Sequence, residues 1–229
     1  MMEFSAKLTK KELYRGLIYL LIDLFALPAA MGILNSALPQ PLSSAWLNFL
    51  YFCINFLAVV LLLQTFLMKN IRTALGRIPK CLITAAVGVV AYFAANYALS
   101  SLILFFQPEF ANVNDASIAT MLEGDFLILA IGTVLLVPAT EELLYRGVIF
   151  RGLYDRSPIL AYAVSTVCFA AIHILGFIGT VDALTLFLCF VQYIPAGLIL
   201  CLCYEKSGSI VTPILTHTVV NLVGILVLR

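Results

Sequence analysis

The chain has 229 residues, of which 63% are hydrophobic and only 11% are charged, and its mean hydropathy is +1.08. A soluble domain is typically about a quarter charged, so this composition excludes a water-soluble fold. The formal net charge is +1, which leaves no basic surface for nucleic acid. We therefore predict a membrane protein that has the lipid bilayer as a partner and does not bind nucleic acid.

Apolar runs, separated by polar residues or by Pro and Gly, follow one another along the chain. Most are close to the roughly 20 residues that a helix needs to cross a hydrocarbon layer about 30 Å thick. We predict an all-α, polytopic bundle of about seven transmembrane helices, within a range of six to eight, over residues 13–34, 45–68, 81–106, 125–150, 158–175, 183–204 and 210–228.

Lys and Arg residues occur at alternate ends of these runs. They lie before the first run, between the second and third, after the fourth, and between the sixth and seventh, whereas the connections 35–44, 107–124 and 176–182 contain none. The positive-inside rule then predicts that the N-terminus and the basic connections are cytoplasmic. Because no connection is long enough for a second domain, we predict one transmembrane domain over residues 1–229 of a multi-pass cell-membrane protein.

The cysteines are expected to be packing residues. They lie in or at the ends of apolar runs, where a thiol behaves as a small hydrophobic group. Cys201 and Cys203 are two residues apart, so on a helix they point away from each other and do not form a metal or redox pair. The full set is Cys53, Cys81, Cys168, Cys189, Cys201 and Cys203.

Two adjacent carboxylates, Glu141 and Glu142, lie at the end of a strongly apolar run. Ionisable groups inside a span cost about 2.5–3.5 kcal/mol on insertion scales, so each is a functional candidate. On a helix, Glu142 and Arg146 are four residues apart with the acid on the N-terminal side, which favours an ion pair. Glu141 is rotated by about 100° and has no such partner, which suits it to act as a general base. Pro138 can kink or open the helix before it.

The two histidines, His173 and His217, fall in apolar runs of the same half of the chain. His217 and Asn221 are four residues apart and share one helix face. Such a face offers a pair of hydrogen-bond donors for a developing oxyanion, while a carboxylate and an imidazole on other helices can hold and deprotonate a water molecule. This set of groups favours hydrolysis of an amide bond by activated water.

Three motifs occur in order in the C-terminal half. They are Glu-Glu-x-x-x-Arg at Glu141, Glu142 and Arg146, Phe-x-x-x-His at Phe169 and His173, and His-x-x-x-Asn at His217 and Asn221. In this order and spacing, the segment 122–224 resembles the CPBP family, which comprises the CAAX proteases and bacteriocin-processing enzymes and is also called the Abi family. The resemblance implies an intramembrane endopeptidase that acts on a membrane-associated, prenylated or leader peptide.

The resemblance also implies roles for individual residues. Glu141 would activate the water, and His173 would assist it. His217 and Asn221 would complete the catalytic site and stabilise the oxyanion. We expect the peptide bond to be cut near the cytoplasmic face, in a water-accessible cavity between helices.

Glu142 and Arg146 would be supporting residues by the same resemblance. Family members are commonly called metalloproteases, although a glutamate-activated water without a metal is also a proposed mechanism. Two histidines and a glutamate can bind zinc and leave a position open for water, but the signature His-Glu-x-x-His on one helix is absent. We therefore expect no metal and no other cofactor, with zinc as the alternative.

Each feature taken singly has a structural explanation, such as an interfacial salt bridge or a hydrogen bond between helices. Their joint occurrence in three separate spans favours an active site. One alternative is a non-enzymatic membrane protein, for example a bacteriocin immunity factor, which is a role also associated with this family. Another is a proton-coupled transporter with a Glu and His relay, although the chain lacks the paired, interrupted spans of inverted repeats.

Two further expectations concern the interior of the bundle. Asp23 in the first run has no assignable role, while Asn55, Asn96 and Gln192 are expected to form hydrogen bonds between helices. At ~1.5 Å per residue, Glu141 lies ~15 Å from the basic end of its helix, whereas His173 lies ~24 Å from the basic end of its own. We therefore expect an irregular or projecting element after Arg146.

Overall fold

The computed structural model describes residue 4 and residues 6–228. The described part is helical and contains no β-strand. Its helices are α1 (Lys10–Ser36), α2 (Ser44–Leu62), α3 (Gln64–Leu75), α4 (Ile78–Phe106), α5 (Val113–Tyr154), α6 (Pro158–Leu175), α7 (Ala183–Ser207) and α8 (Val211–Leu228). All except α3 are long and apolar enough to cross a membrane, which makes seven spans. The predicted all-α polytopic bundle is confirmed, and its orientation stays a prediction.

The second span ends earlier than its predicted limit at residue 68. The backbone leaves the helical conformation at Leu63, with φ −112° and ψ 21°, and the separate helix α3 follows. The carboxylate of Glu12 accepts a hydrogen bond of 2.8 Å from the backbone N–H of Phe66. It thereby satisfies one of the free donors in the first turn of α3, a contact between distant residues that the run of hydrophobic residues does not encode.

The fourth span follows a break in the backbone at its predicted first residue, Asp125, but residues 113–124 before the break are helical rather than a polar connection. The side chain of Asn112 caps this stretch by accepting hydrogen bonds from the backbone N–H groups of Asn114 and Asp115. The backbone then breaks at Asp125, with φ −134° and ψ 63°. The polar composition of the stretch concealed its helical character.

Three stretches of wide π-helical turns interrupt α1 and α5, namely Ile22–Ala26, Gly132–Leu136 and Glu142–Phe150. In such turns a backbone N–H donates to the carbonyl five residues back instead of four, and they are frequent at functional sites. The third stretch contains Arg146 and continues to Phe150, so the expected irregular element is present at this place.

The largest buried cluster fills the end of the bundle at which the Lys- and Arg-containing connections lie. Tyr145, Phe150 and Tyr204 form its centre, together with Phe66 from α3. The ring of Phe4 packs against Phe150 with 6.2 Å between ring centroids. This end of the bundle is therefore closed by aromatic side chains.

Candidate active site

Glu142 and Arg146 form the predicted ion pair, with both side chains fully buried. Oε1 of Glu142 accepts a hydrogen bond of 2.9 Å from Arg146 and one of 3.0 Å from Nδ1 of His217. Arg146 also donates to the carbonyl of Gly197 over 3.1 Å, and its guanidinium lies 4.1 Å from the ring centroid of Phe169. The pair is thus an internal support and not an interfacial salt bridge, because both side chains are fully buried. Oε2 of Glu142 and Nε of Arg146 have no hydrogen-bond partner among the described residues.

Gly197 brings α7 unusually close to α6. A Cβ atom at this position would lie 2.7 Å from Cγ2 of Thr166, which is closer than side-chain atoms approach each other. The close approach of the two helices places the Gly197 carbonyl within reach of Arg146. Glycine at 197 therefore contributes to the position of the buried guanidinium.

Glu141 presents an oxygen atom that the protein does not use. Its Oε2 lies 4.0 Å from Nε2 of His217 and has no hydrogen-bond partner among the described residues. The adjacent Glu142 instead holds His217 through the other ring nitrogen. The two neighbouring carboxylates therefore differ in function, since one orients the imidazole and the other is available for chemistry.

His173 is oriented by its own helix and by an aromatic partner. Its Nδ1 lies 2.8 Å from the carbonyl oxygen of Phe169, which can only accept, so Nδ1 carries the hydrogen and Nε2 keeps a lone pair. The imidazole stacks on the ring of Tyr193 at 4.0 Å, and the hydroxyl of Tyr193 accepts a hydrogen bond of 3.0 Å from Asn114. Tyr193 was not found by the sequence analysis, because nothing distinguishes it from the other aromatic residues of the spans.

Asn221 fills a hydrogen-bonding position that Pro138 leaves open. The N–H of Val137 donates to the carbonyl of Gly132, and the next residue, Pro138, has no N–H for the carbonyl of Thr133. The side-chain amide of Asn221 donates to that carbonyl over 2.9 Å. One N–H of Asn221 thus anchors α8 to α5, and its second N–H remains for another acceptor.

The four predicted catalytic residues line one cavity of about 920 Å³ between the helices. They are Glu141, His173, His217 and Asn221. Glu142 and Arg146 do not line the cavity and lie behind His217. The structure therefore brings the predicted set together, while the chemical roles of its members stay predictions.

The depth of His173 is compatible with this shared cavity. Ser165 donates to the carbonyl of Tyr145 over 2.9 Å, which fixes α6 against α5. Glu141 lies four residues from Tyr145 along α5, and His173 lies eight residues from Ser165 along α6. At ~1.5 Å per residue, the two side chains differ in depth by ~6 Å. His173 therefore lies about one turn beyond Glu141, less than the ~10 Å expected from straight helices.

The residues at the site do not fit a metal held by three protein ligands. Within the described ranges, no three side chains of His, Cys, Asp or Glu are grouped closely enough to bind a metal ion. The Nδ1 atoms of His173 and His217 are also occupied by Phe169 and Glu142. The absence of a metal from the reaction stays an expectation.

Polar contacts outside the motifs agree in part with the sequence. Asn55 accepts a hydrogen bond from Tyr19 on α1, and Gln192 donates to Ser100 on α4, so both join helices as predicted. Asn96 accepts from Ser100 within its own helix. It therefore extends a polar chain that reaches α7 through Ser100.

Comparison with known proteins places the motifs in a family. Residues 123–223 match the family model described as "Type II CAAX prenyl endopeptidase Rce1-like", and this segment contains all three motifs. No curated protein and no solved structure matches the chain. The match supports the family predicted from the motifs, and the segment 123–223 is similar to the CAAX-type prenyl endopeptidases that this family model describes.

Proposed function

We propose that the chain is an endopeptidase of the cell membrane that hydrolyses a peptide bond inside the bilayer with a water molecule activated by Glu141. The observation that carries this proposal is the position of Glu141 in the lining of the cavity, with its buried Oε2 unpartnered and 4.0 Å from an imidazole that Glu142 orients. A general base needs a carboxylate at a cavity that can hold water.

The reaction follows from the hydrogen-bonding capacities of these groups. The lone pair on Nε2 of His173 accepts one hydrogen of the water, and Glu141 removes the other as the water oxygen attacks the carbonyl carbon of the substrate. The second N–H of Asn221 stabilises the resulting oxyanion, and His217 completes the site beside it. Glu141 then gives its proton to the amide nitrogen as the carbon–nitrogen bond breaks, which releases an amine and a carboxylic acid.

The proposed substrate is a membrane-associated peptide, either prenylated or carrying a leader sequence. The cavity of about 920 Å³ lies at the upper end of the range for pockets that enclose ligands, so it has room for a peptide segment or an apolar chain. The description of the matched family names prenyl endopeptidases, which supports a lipid-modified peptide as one of the candidates.

The test is cleavage of a membrane-peptide library by purified, detergent-solubilised protein. We expect the native chain to cut and both Glu141→Gln and His173→Ala to be inactive, while Glu109→Gln in the exposed connection before α5 cuts like the native chain. Cleavage is expected to persist with a chelator, because the residues at the site do not fit a three-ligand metal site. Inhibition by the chelator, restored by added zinc, would favour the zinc alternative.

Two other results would contradict the proposal. If Glu141→Gln and His173→Ala cut as well as the native chain, the site is wrong. If no chain cuts and Glu141→Gln still protects cells from a bacteriocin, the non-enzymatic immunity protein becomes the better interpretation.

A further inference from the structure

A buried polar pair from the first two spans reaches the same cavity. Asp23 lies in the π-helical turns of α1 and is only 4% exposed. The hydroxyl of Tyr51 on α2 donates to Oδ1 of Asp23 over 2.6 Å. Tyr51 lines the cavity together with Glu141. Both residues lie outside the matched segment 123–223.

The hydrogen bond to Asp23 determines whether the hydroxyl of Tyr51 can donate or accept a further hydrogen bond. The hydroxyl donates to Asp23, so its single hydrogen is used in this bond. The oxygen has two lone pairs, of which the side-chain amide of Asn55 takes one, so one lone pair remains as an acceptor at the wall of the cavity. A buried carboxylate in a membrane span costs free energy, so its presence needs a function. Holding the hydroxyl of Tyr51 in one orientation at the cavity is such a function for Asp23.

The lining of the cavity also supplies a donor, because the second N–H of Asn221 is available there. An extended peptide alternates N–H and carbonyl groups along its main chain, and each needs a partner when water is excluded. A cavity with a donor for the carbonyl and an acceptor for a neighbouring N–H matches this pattern.

We propose that Tyr51 is a substrate-binding residue whose hydroxyl oxygen accepts a hydrogen bond from a main-chain N–H of an extended peptide, beside the bond that is cut. Asp23 is its positioning residue. The inference rests on the proposed endopeptidase function and gives the first two spans a part in it. It also predicts that substrates need a free N–H at one position near the cleaved bond.

The chain contains a matched control for Tyr51. Tyr19 is buried in the same polar cluster and donates to Asn55 over 2.6 Å, but it does not line the cavity. Changing either tyrosine to Phe removes one hydroxyl that donates a hydrogen bond. Only the loss of the Tyr51 hydroxyl removes a group that faces the substrate.

The first measurement compares Tyr51→Phe and Tyr19→Phe on the library peptide that the native chain cuts fastest. We expect kcat/KM of Tyr51→Phe to fall about tenfold, mainly through KM, as for the loss of one buried hydrogen bond. Tyr19→Phe is expected to stay within about twofold of the native value, with similar thermal stability for both variants. Equal kcat/KM for Tyr51→Phe and the native chain would overturn the inference.

The second measurement identifies the hydrogen-bonding partner on the peptide. Each main-chain N–H near the cleaved bond is replaced by N-methyl, one position at a time. At one position the native chain should lose about tenfold in kcat/KM while Tyr51→Phe loses nothing further, because the two changes remove the same bond. If every N-methyl group costs the same in both chains, Tyr51 does not bind a substrate N–H.

Variants of Asp23 separate positioning from folding. Asp23→Asn keeps an acceptor for Tyr51 and should lose about twofold, whereas Asp23→Leu should lose as much as Tyr51→Phe. The opposite order would overturn the positioning role. If the native chain cuts no peptide, the proposed hydrolase function fails and this inference falls with it; if the native chain and Tyr51→Phe cut equally well, only the inference about Tyr51 fails.

Discussion

The hydrogen bond of 3.0 Å from Nδ1 of His217 to Oε1 of Glu142 decides which ring nitrogen faces Glu141. Because Nδ1 is occupied, Nε2 is turned towards Glu141, at 4.0 Å from its free carboxylate oxygen. Glu142 also accepts from Arg146, so the orientation of the imidazole depends on a buried charge pair one turn away from the cavity. The two adjacent glutamates therefore have different roles, since Glu142 supports the site and Glu141 is the proposed catalytic group.

Substitutions of Glu142 and Glu141 should separate the structural role of the first from the catalytic role of the second. Glu142→Ala leaves the charge of Arg146 buried without its partner, and we expect the free energy of unfolding to fall by about 3–5 kcal/mol. Glu141→Gln removes only the free acceptor and should change unfolding by less than about 1 kcal/mol while lowering kcat by about 10²–10⁴. Unfolding in detergent and peptide cleavage measure the two effects. Equal destabilisation by both substitutions would contradict the division.

The contact between Asn221 and Thr133 can be tested by a compensating substitution. Asn221→Leu leaves the Thr133 carbonyl without a donor, so the free energy of unfolding should fall by about 1–3 kcal/mol. Adding Pro138→Ala restores a backbone N–H five residues after Thr133 and should recover about 1 kcal/mol of that loss. The measurement is unfolding of the single and double variants, and additive losses would show that Pro138 does not create the need for Asn221.

The position of the cavity predicts the side from which it is reached. Its lining includes Ser44, Asn114 and Phe177, at the helix ends whose connections lack Lys and Arg, whereas aromatic residues close the basic end. With the predicted orientation, these helix ends lie on the non-cytoplasmic side, so the expectation of a cut near the cytoplasmic face and the predicted orientation are tested together.

We therefore expect a membrane-impermeant thiol reagent to label Ser44→Cys from the non-cytoplasmic side of the membrane. Gly76→Cys, at an exposed position in a basic connection, is the matched variant and should be labelled from the cytoplasmic side. Labelling of the native chain gives the background from its own cysteines. Labelling of both variants from one side would contradict the predicted orientation.

The N-terminal segment, residues 6–9, should loosen only at low pH. Arg151 binds Asp155 at 2.9 Å and donates to the carbonyl of Ala6, and Lys7 lies 2.8 Å from Asp155. The bonds from Arg151, and then Lys7, hold the pKa of Asp155 below its ordinary value. A lowered pKa means that the carboxylate stabilises the folded state above the unfolded pKa of about 3.9 and that this contribution is lost as the pH falls through the folded value.

Amide hydrogen exchange checks this prediction. In the native chain, protection of residues 6–9 should persist at pH 5 and decline below about pH 4. Asp155→Asn should reduce protection at both pH values, whereas Asp182→Asn, which removes a carboxylate from the cap of α7, should leave it unchanged. Unaltered protection in Asp155→Asn would show that the salt bridges do not hold the segment.

The sequence by itself determined the number of membrane spans and their helical type, since hydrophobic run length is set by the thickness of the bilayer. It also determined the Glu142–Arg146 pair, because residues four apart meet on a helix whatever surrounds them. Three motifs in a fixed order were enough to assign the family, which the match over residues 123–223 bears out.

Only the tertiary structure decided how the motif residues divide their tasks. The bond from His217 to Glu142 spans 75 residues, and that between Asn221 and Thr133 spans 88. The pairing of Tyr51 with Asp23 joins two different helices as well. Periodicity reports which residues share a face of one helix, but the contacts of that face depend on how separate helices pack, and packing is fixed by the whole bundle.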